Sequence, residues 1–386
     1  MKRHIESEVS RDLQKKMVFL GGPRQVGKTT LARNLLATVA GSYFNWDYDD
    51  DRQAILKKRW RAEDTLLVFD ELHKFPRWKS WIKGVYDVEG AAHQFLVTGS
   101  ARLDVYRQGG DSLLGRYHYW RLHPLTLDEL PPGIGAQEAL ARLLSVGGFP
   151  EPFLVNDERE SRRWRKERFD RVLQEDIRDL ESIRNIGQLR LFLDLLRTRV
   201  GGLVVLSNLA RDVQVAPQTA RSWLEALERM YVLFQVKPYT QDVARAVLKP
   251  PKVYFLDNAD VADEPGARLE NLVAAHLLKR LHYREDHDGR TCELRYVRDK
   301  EGREVDFAVV VDGVLDELIE VKTGDDAVSP SLKYYAQRLK PRRATQLVAR
   351  LARPYDADGV RVTDPIRYFA EDIPWEGNRV PTQLIR

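Results

Sequence analysis

The chain has 386 residues with 62 Lys and Arg against 58 Asp and Glu, a formal net charge of +4. That length suits two or three domains rather than one core, and 43% apolar with 31% charged residues excludes a disordered chain. Cys292 is the only cysteine, which excludes an internal disulfide framework and zinc sites built from paired cysteines. With no apolar run of about 18 residues and a charged start, Met1-Lys2-Arg3-His4, the expectation is a soluble, cytoplasmic protein with no membrane partner.

Short apolar runs at Met17 to Leu20, Ser42 to Trp46, Leu66 to Phe69, Phe95 to Thr98 and Tyr117 to Leu122 alternate with helical stretches. Alternation of this kind predicts an α/β domain, a parallel sheet covered by helices, over residues 1–130. Gly22-Pro23-Arg24-Gln25-Val26-Gly27-Lys28-Thr29 follows the first strand and precedes a helix, matching G-x-x-x-x-G-K-[ST]. Glycines let backbone N–H groups turn inward around phosphate, and the helix N-terminus adds partial positive charge. Lys28 is the expected clamp on the terminal phosphates and Thr29 a magnesium ligand, with Thr30 next in the ATP-binding stretch.

The run ending at Phe69 is followed by Asp70-Glu71, carboxylates at the carboxyl end of a strand, where open parallel sheets bind ligands. Asp70 is expected to hold magnesium and Glu71 to orient and deprotonate the attacking water. Thr98 and Ser100, at the end of a later strand, are candidate sensors of the terminal phosphate. Arg116 is a candidate arginine finger in a homo-oligomer, because charge building on the transferring phosphoryl group requires a cation.

Pro131-Pro132-Gly133 and Gly147-Gly148-Phe149-Pro150 break the α/β pattern, and Glu158 to Val200 reads as long charged helices, a lid or connector over residues 131–202. Residues 203–264 read as helix, turn, helix and two strands, the outline of a winged helix. Its second helix opens with Gln218, Thr219, Arg221 and Ser222, short polar groups suited to phosphates and base edges of DNA, while Trp223, Leu224, Leu227 and Met230 face inward. In residues 265–386 a helix precedes strands at Cys292 to Val297, Val305 to Val311 and Val314 to Lys322, the last two joined by an Asp312-Gly313 turn. Glu320 and Lys322, two apart on a strand, share a face, and Asp306 opens the preceding strand. With Glu270 from the helix, these residues predict a metal-dependent phosphodiesterase site in which Asp306 and Glu320 hold magnesium or manganese and Lys322 stabilises charge.

Together, Gly22 to Thr30, Phe69-Asp70-Glu71-Leu72, Thr98-Gly99-Ser100, Ser112-Leu113-Leu114-Gly115-Arg116, His123-Pro124-Leu125-Thr126, Gly147-Gly148-Phe149-Pro150-Glu151, Lys252-Val253-Tyr254-Phe255-Leu256-Asp257 and Glu304-Val305-Asp306-Phe307 resemble a family of bacterial and archaeal proteins. These are AAA-type ATPases with a winged-helix region and a C-terminal module like a PD-(D/E)xK nuclease. The resemblance implies ATP hydrolysis, DNA as a partner and a restriction-endonuclease-like C-terminal fold, with Glu270, Asp306, Glu320 and Lys322 at the motif positions. His73 departs from the pattern, where an amide commonly follows the acidic pair. The alternative is an ATP-driven assembly switch whose C-terminal module docks a partner and has lost catalysis.

Overall fold

The computed structural model describes residues 1–99, 113–173, 185–240 and 249–371. Its backbone divides into two compact units, residues 1–123 with 229–231, and the remainder. In the first unit, β1 (Met17–Gly21), β2 (Gly41–Asn45), β3 (Leu66–Asp70), β4 (Gln94–Thr98) and β5 (Tyr117–Arg121) form a sheet ordered β2-β3-β4-β1-β5. Every pairing in it is parallel. Strands β1 and β3 are buried along their whole length, as parallel strands covered on both faces must be. Phe19, Phe44, Phe69, Trp78, Ile82 and Phe95 fill one of its cores.

The sheet order places the site. β3 and β1 flank β4, and the register pairs Leu20 with Thr98 and Thr98 with Asp70. The ends of three adjacent strands are therefore level, so the loop leaving β1, the hydroxyl ending β4 and the carboxylate ending β3 meet at one edge.

In the second unit an eight-stranded sheet runs β12-β13-β11-β10-β9-β8-β6-β7. Its strands are β6 (Leu233–Pro238), β7 (Lys252–Phe255), β8 (Cys292–Arg298), β9 (Glu304–Val311), β10 (Val314–Lys322), β11 (Arg343–Val348), β12 (Tyr355–Ala357) and β13 (Val360–Thr363). The hairpin expected to close a winged helix, β6 with β7, thus continues into the C-terminal sheet through a short parallel pairing of Lys237 and Pro238 with Arg295 and Tyr296. Asp312 and Gly313, at φ 50° and 78°, make the β9–β10 turn, the paired positive dihedrals that the strand twist favours. The helix Pro265–Asp288 carries Leu269, Leu272, Val273, Leu277 and Leu281 as buried residues and is capped by the Glu264 side chain.

Helices Glu158–Arg171 and Ile186–Arg197 occupy the charge-rich stretch read as helical. A polar knot anchors the glycine pair before them. Asp257 Oδ1 accepts the Gly148 N–H at 2.8 Å, and a Cβ at Gly147, where φ is 87°, would stand 2.1 Å from that same oxygen. Glycine at 147 is therefore required by close approach as well as by dihedral. Among the described residues no helix is long and apolar enough to cross a membrane.

Candidate functional site

The phosphate loop is built from backbone that only certain residues tolerate. Gly22, at φ 132°, lies so close to the end of β5 that a Cβ would meet the Leu122 carbonyl oxygen at 2.4 Å. Gly27 at φ 102° and Gln25 at φ 62° turn successive peptide units so that the chain reverses before the helix Lys28–Leu36. Such alternation makes an anion-binding concavity at a helix N-terminus. Pro23 and Val26 are buried, while Arg24 is partly exposed and Gln25 exposed. Lys28 is itself buried, its Nζ donating to the carbonyls of Gly22 at 3.0 Å and Pro23 at 2.7 Å. Thr30, on the helix, faces outward.

One feature of the loop is absent from the motif. Arg3, buried at the N-terminus, donates to the carbonyls of Val26 at 2.8 Å and His123 at 2.5 Å, bracing the loop against the end of β5. A lone arginine near a chain start has no sequence signature, so nothing in the pattern points to it.

Asp70 is the hub. Its Oδ2 accepts from Thr29 Oγ1 at 2.9 Å and from the Tyr43 hydroxyl at 2.5 Å, and its Oδ1 accepts from Thr98 Oγ1. The sequence-predicted Thr29, Asp70 and Thr98 are thus brought together, and Tyr43 of β2 is an addition. Burial, then the Asp70 hydrogen bond, push the Tyr43 hydroxyl far above its ordinary value, so it remains a neutral donor that fixes the carboxylate. Thr29 and Asp70 present two adjacent hard oxygens, the donor set that a hydrated magnesium ion takes alongside phosphates.

Glu71 leaves β3 with φ 58°, and its N–H donates to the Thr98 carbonyl at 3.0 Å. That left-handed backbone swings its side chain away from the strand direction. Its carboxylate sits 3.3 Å from Lys74 Nζ and 3.7 Å from His73 Nε2, with Lys74 also paired to Asp47 at 2.5 Å. Burial raises the Glu71 carboxyl pKa despite the opposing charges of Lys74 and Lys28. His73, the departure noted in the sequence, is buried beside this carboxylate rather than on the surface.

The Arg116 guanidinium pairs with Asp87 at 2.7 Å. Ser100, the other sensor candidate, lies outside the described residues.

The C-terminal candidates do converge, around a residue that the motifs do not contain as a candidate. Lys252 at the start of β7 is 1% exposed and puts its Nζ 2.7 Å from Glu304, 3.3 Å from Glu270 and 3.5 Å from Asp306. The Tyr254 hydroxyl donates to Glu270 at 2.6 Å, and Asp306 Oδ2 accepts the Val321 N–H at 2.9 Å, just beyond the last paired residues of β9 and β10. Lys322 stands 2.8 Å from Glu320. Burial, Glu270 and Glu320 raise the Asp306 carboxyl well above the carboxylate range, and burial raises Glu320 against the pull of Lys322. Among the described residues no group of three or more His, Cys, Asp or Glu side chains is arranged to hold a metal ion. Asp306 and Glu320, the expected magnesium or manganese ligands, stand in a carboxylate cluster that the Lys252 ammonium enters.

On the helix Pro217–Arg229, Gln218 and Arg221 are exposed, Thr219 and Ser222 partly so, while Trp223, Leu224 and Leu227 are buried. A cavity of about 390 Å³ beside this helix is lined by Arg221, Lys237, Lys249, Glu225 and Glu228 among others.

Comparison with known proteins divides the chain as follows. Residues 14–131 match the AAA domain family, residues 137–261 a domain of unknown function (DUF8612), and residues 265–364 a second domain of unknown function (DUF4143). Uncharacterized proteins of Mycobacterium tuberculosis and Mycobacterium bovis are each 28% identical over 243 residues, 62% of this chain and 54% of theirs. The chain thus spans about half the length of these mycobacterial relatives. An uncharacterized protein of Methanocaldococcus jannaschii is 22% identical, with 95% of this chain and 90% of that one covered. Among solved structures, a point variant of Thermotoga maritima RuvB aligns at 19% identity and a TM-score of 0.32, covering 64% of this chain and 94% of that one. The family match and the loop, hydroxyl and carboxylate at the level strand ends lead to one conclusion: the chain carries an AAA-type ATPase domain over residues 14–131.

Proposed function

We propose that the chain is a magnesium-dependent ATPase that binds nucleic acid, and that its C-terminal module acts as a docking element rather than a nuclease. The carrying observation is the meeting of Thr29, Asp70 and Thr98 at the level ends of β1, β3 and β4. In this reading the loop amides and Lys28 hold the β- and γ-phosphates, Thr29 and Asp70 hold magnesium, and Thr98 senses the γ-phosphate. Magnesium, when bound, neutralises charge on the transferring phosphoryl group. Glu71 takes the proton of the attacking water. Arg116, released from Asp87, would serve a neighbouring subunit of a homo-oligomer, with Ser100 as a second sensor. Magnesium-dependent phosphate release from ATP by the purified chain tests the reading, and its absence in wild-type protein overturns it.

Nucleic-acid binding is supported by the exposed Gln218 and Arg221 at the start of a helix whose opposite face is buried, and by Lys237 and Lys249 across the adjoining cavity. Thr219 and Ser222 complete the polar face. Contacts of this kind neutralise phosphates and release counterions, so duplex DNA should bind with steep salt dependence. Arg221→Ala should weaken binding several-fold at low salt and flatten the log K against log salt slope by about 1. Fluorescence anisotropy across a salt series measures both. An unchanged slope would remove Arg221 from the interface.

The docking reading of the C-terminal module is favoured over phosphodiester cleavage by the position of Lys252. Cleavage would need Asp306 and Glu320 free to coordinate, with Lys322 and Glu270 beside them. Incubation of single- and double-stranded DNA with magnesium or manganese separates the readings: cleavage by wild type that Asp306→Ala and Lys322→Ala abolish would restore the nuclease.

A further inference from the structure

The carboxylate cluster of the C-terminal sheet gathers acids from three elements of the second unit. Glu270 comes from the helix Pro265–Asp288, Glu304 and Asp306 from the first residues of β9, and Glu320 from the end of β10. Acidic side chains brought this close need counter-charge, and the expectation from the sequence is a divalent ion. Here it comes from the protein. The Lys252 ammonium has three N–H donors and meets three carboxylates, at 2.7, 3.3 and 3.5 Å. It lies beside the Tyr296 ring, 5.8 Å from the ring centre.

The surroundings hold the ammonium there. Tyr254 uses its hydroxyl on Glu270, so that carboxylate is fixed from a second side. Gly201, at φ 74°, brings the backbone so close that a Cβ would stand 2.6 Å from Glu270 Oε2. A bridge between Leu203 and Lys252 ties the same loop to the strand that carries the lysine. Further cations close the rim: Arg298 pairs with Glu304 at 2.7 Å and Lys322 with Glu320 at 2.8 Å. A divalent ion entering between Glu270, Glu304 and Asp306 would have to expel a buried ammonium from its partners or sit against a like charge.

We propose that Lys252 is the built-in cation of this cluster, that it excludes a divalent metal from Glu270, Glu304 and Asp306, and that with its charge removed these carboxylates, now spaced around the ammonium, draw in around a divalent cation instead. The residues therefore do not fit the metal that the nuclease-like motif implies. This deepens the docking reading of the C-terminal module and is independent of ATP hydrolysis.

The test uses the full chain without nucleotide, every version carrying Asp70→Asn so that the carboxylate assigned to magnesium at the ATP site is removed. Binding of Mn²⁺ is followed by loss of the free-ion electron paramagnetic resonance signal. Lys252→Met should gain one Mn²⁺ site per chain, at least tenfold tighter than any in the parent, and Lys252→Met with Asp306→Asn should lose it. Lys252→Arg, which keeps the charge, should stay like the parent. A parent chain that already binds Mn²⁺ at a site removed by Asp306→Asn overturns the proposal. So does a folded Lys252→Met protein, judged by its circular dichroism, that gains no site. Should Lys252→Met fail to fold, the parent against Asp306→Asn decides alone: metal bound in an Asp306-dependent way sinks the idea, and none supports it.

Discussion

Glu71→Gln is expected to leave nucleotide binding within about twofold of wild type and to lower ATP turnover by at least about 100-fold, since general-base catalysis contributes about 10² to 10⁴. The amide keeps the volume and one acceptor of the carboxylate, so the pocket and the Thr29, Asp70 and Thr98 contacts persist. What it lacks is a site for the water proton. Lys28→Ala should behave differently, weakening binding itself, because in the proposed reading its ammonium, which donates to the loop carbonyls, is the cation that meets the terminal phosphates. The wild-type pH profile carries a second signature. Burial raises the Glu71 pKa, so the base form is lost as pH falls through a value above the ordinary glutamate range, and the acid limb of turnover should lie correspondingly high. Coupled phosphate-release assays with nucleotide titration by fluorescence distinguish the two variants. Glu71→Gln protein that hydrolyses ATP at the wild-type rate would end the assignment of Glu71 as base.

How much of this was legible in the sequence follows the physics of each part. The phosphate loop and Asp70-Glu71 are local: spacing along the chain sets the geometry, because a strand, a reversal and a helix are contiguous. Tyr43 and Arg3 were invisible, and Lys252, though part of a matching stretch, carried no role. Each reaches its partner across the fold, Tyr43 from a neighbouring strand, Arg3 across 23 residues to Val26, and Lys252 from a strand 54 residues before Asp306. The strands β11, β12 and β13 and the helix Pro330–Leu339 extend the C-terminal sheet beyond the three strands evident from the sequence. Short segments such as Tyr355–Ala357 carry too few residues for a periodic pattern to stand out. The break expected near residue 265 is crossed by hydrogen bonding between β6 and β8, a pairing that no alternation of apolar residues encodes.

Lys279→Met is expected to destabilise the second unit by about 3 to 5 kcal/mol, the usual result of removing one member of a buried ion pair. Lys279 and Glu129 have side chains 1% and 3% exposed and lie 2.5 Å apart. The same ammonium donates to Thr126 Oγ1 at 2.7 Å and the Pro124 carbonyl at 3.3 Å. One helical turn of the helix Pro265–Asp288 thus secures the whole segment: His276 Nε2 accepts the Leu127 N–H at 2.9 Å, and Arg280 pairs with Asp128 at 3.0 Å. Spacings of three and four put His276, Lys279 and Arg280 on one helix face, which is why a continuous loop can meet all three. Methionine matches the length of lysine but leaves Glu129 charged, buried and without its ammonium partner. Converting both, Lys279→Met with Glu129→Met, should recover most of the loss, since an apolar pair of similar volume removes the stranded charge. The same turn gives an acid sensitivity with a defined sign. Burial holds His276 neutral and pushes its pKa down to about 3, so the unfolded chain binds that proton first and stability declines as pH falls below the ordinary histidine value of about 6.5. Urea unfolding of wild type, the single variant and the double variant measures the coupling directly. A single variant within about 0.5 kcal/mol of wild type, the range of ordinary surface substitutions, would show that Lys279 does not hold the segment.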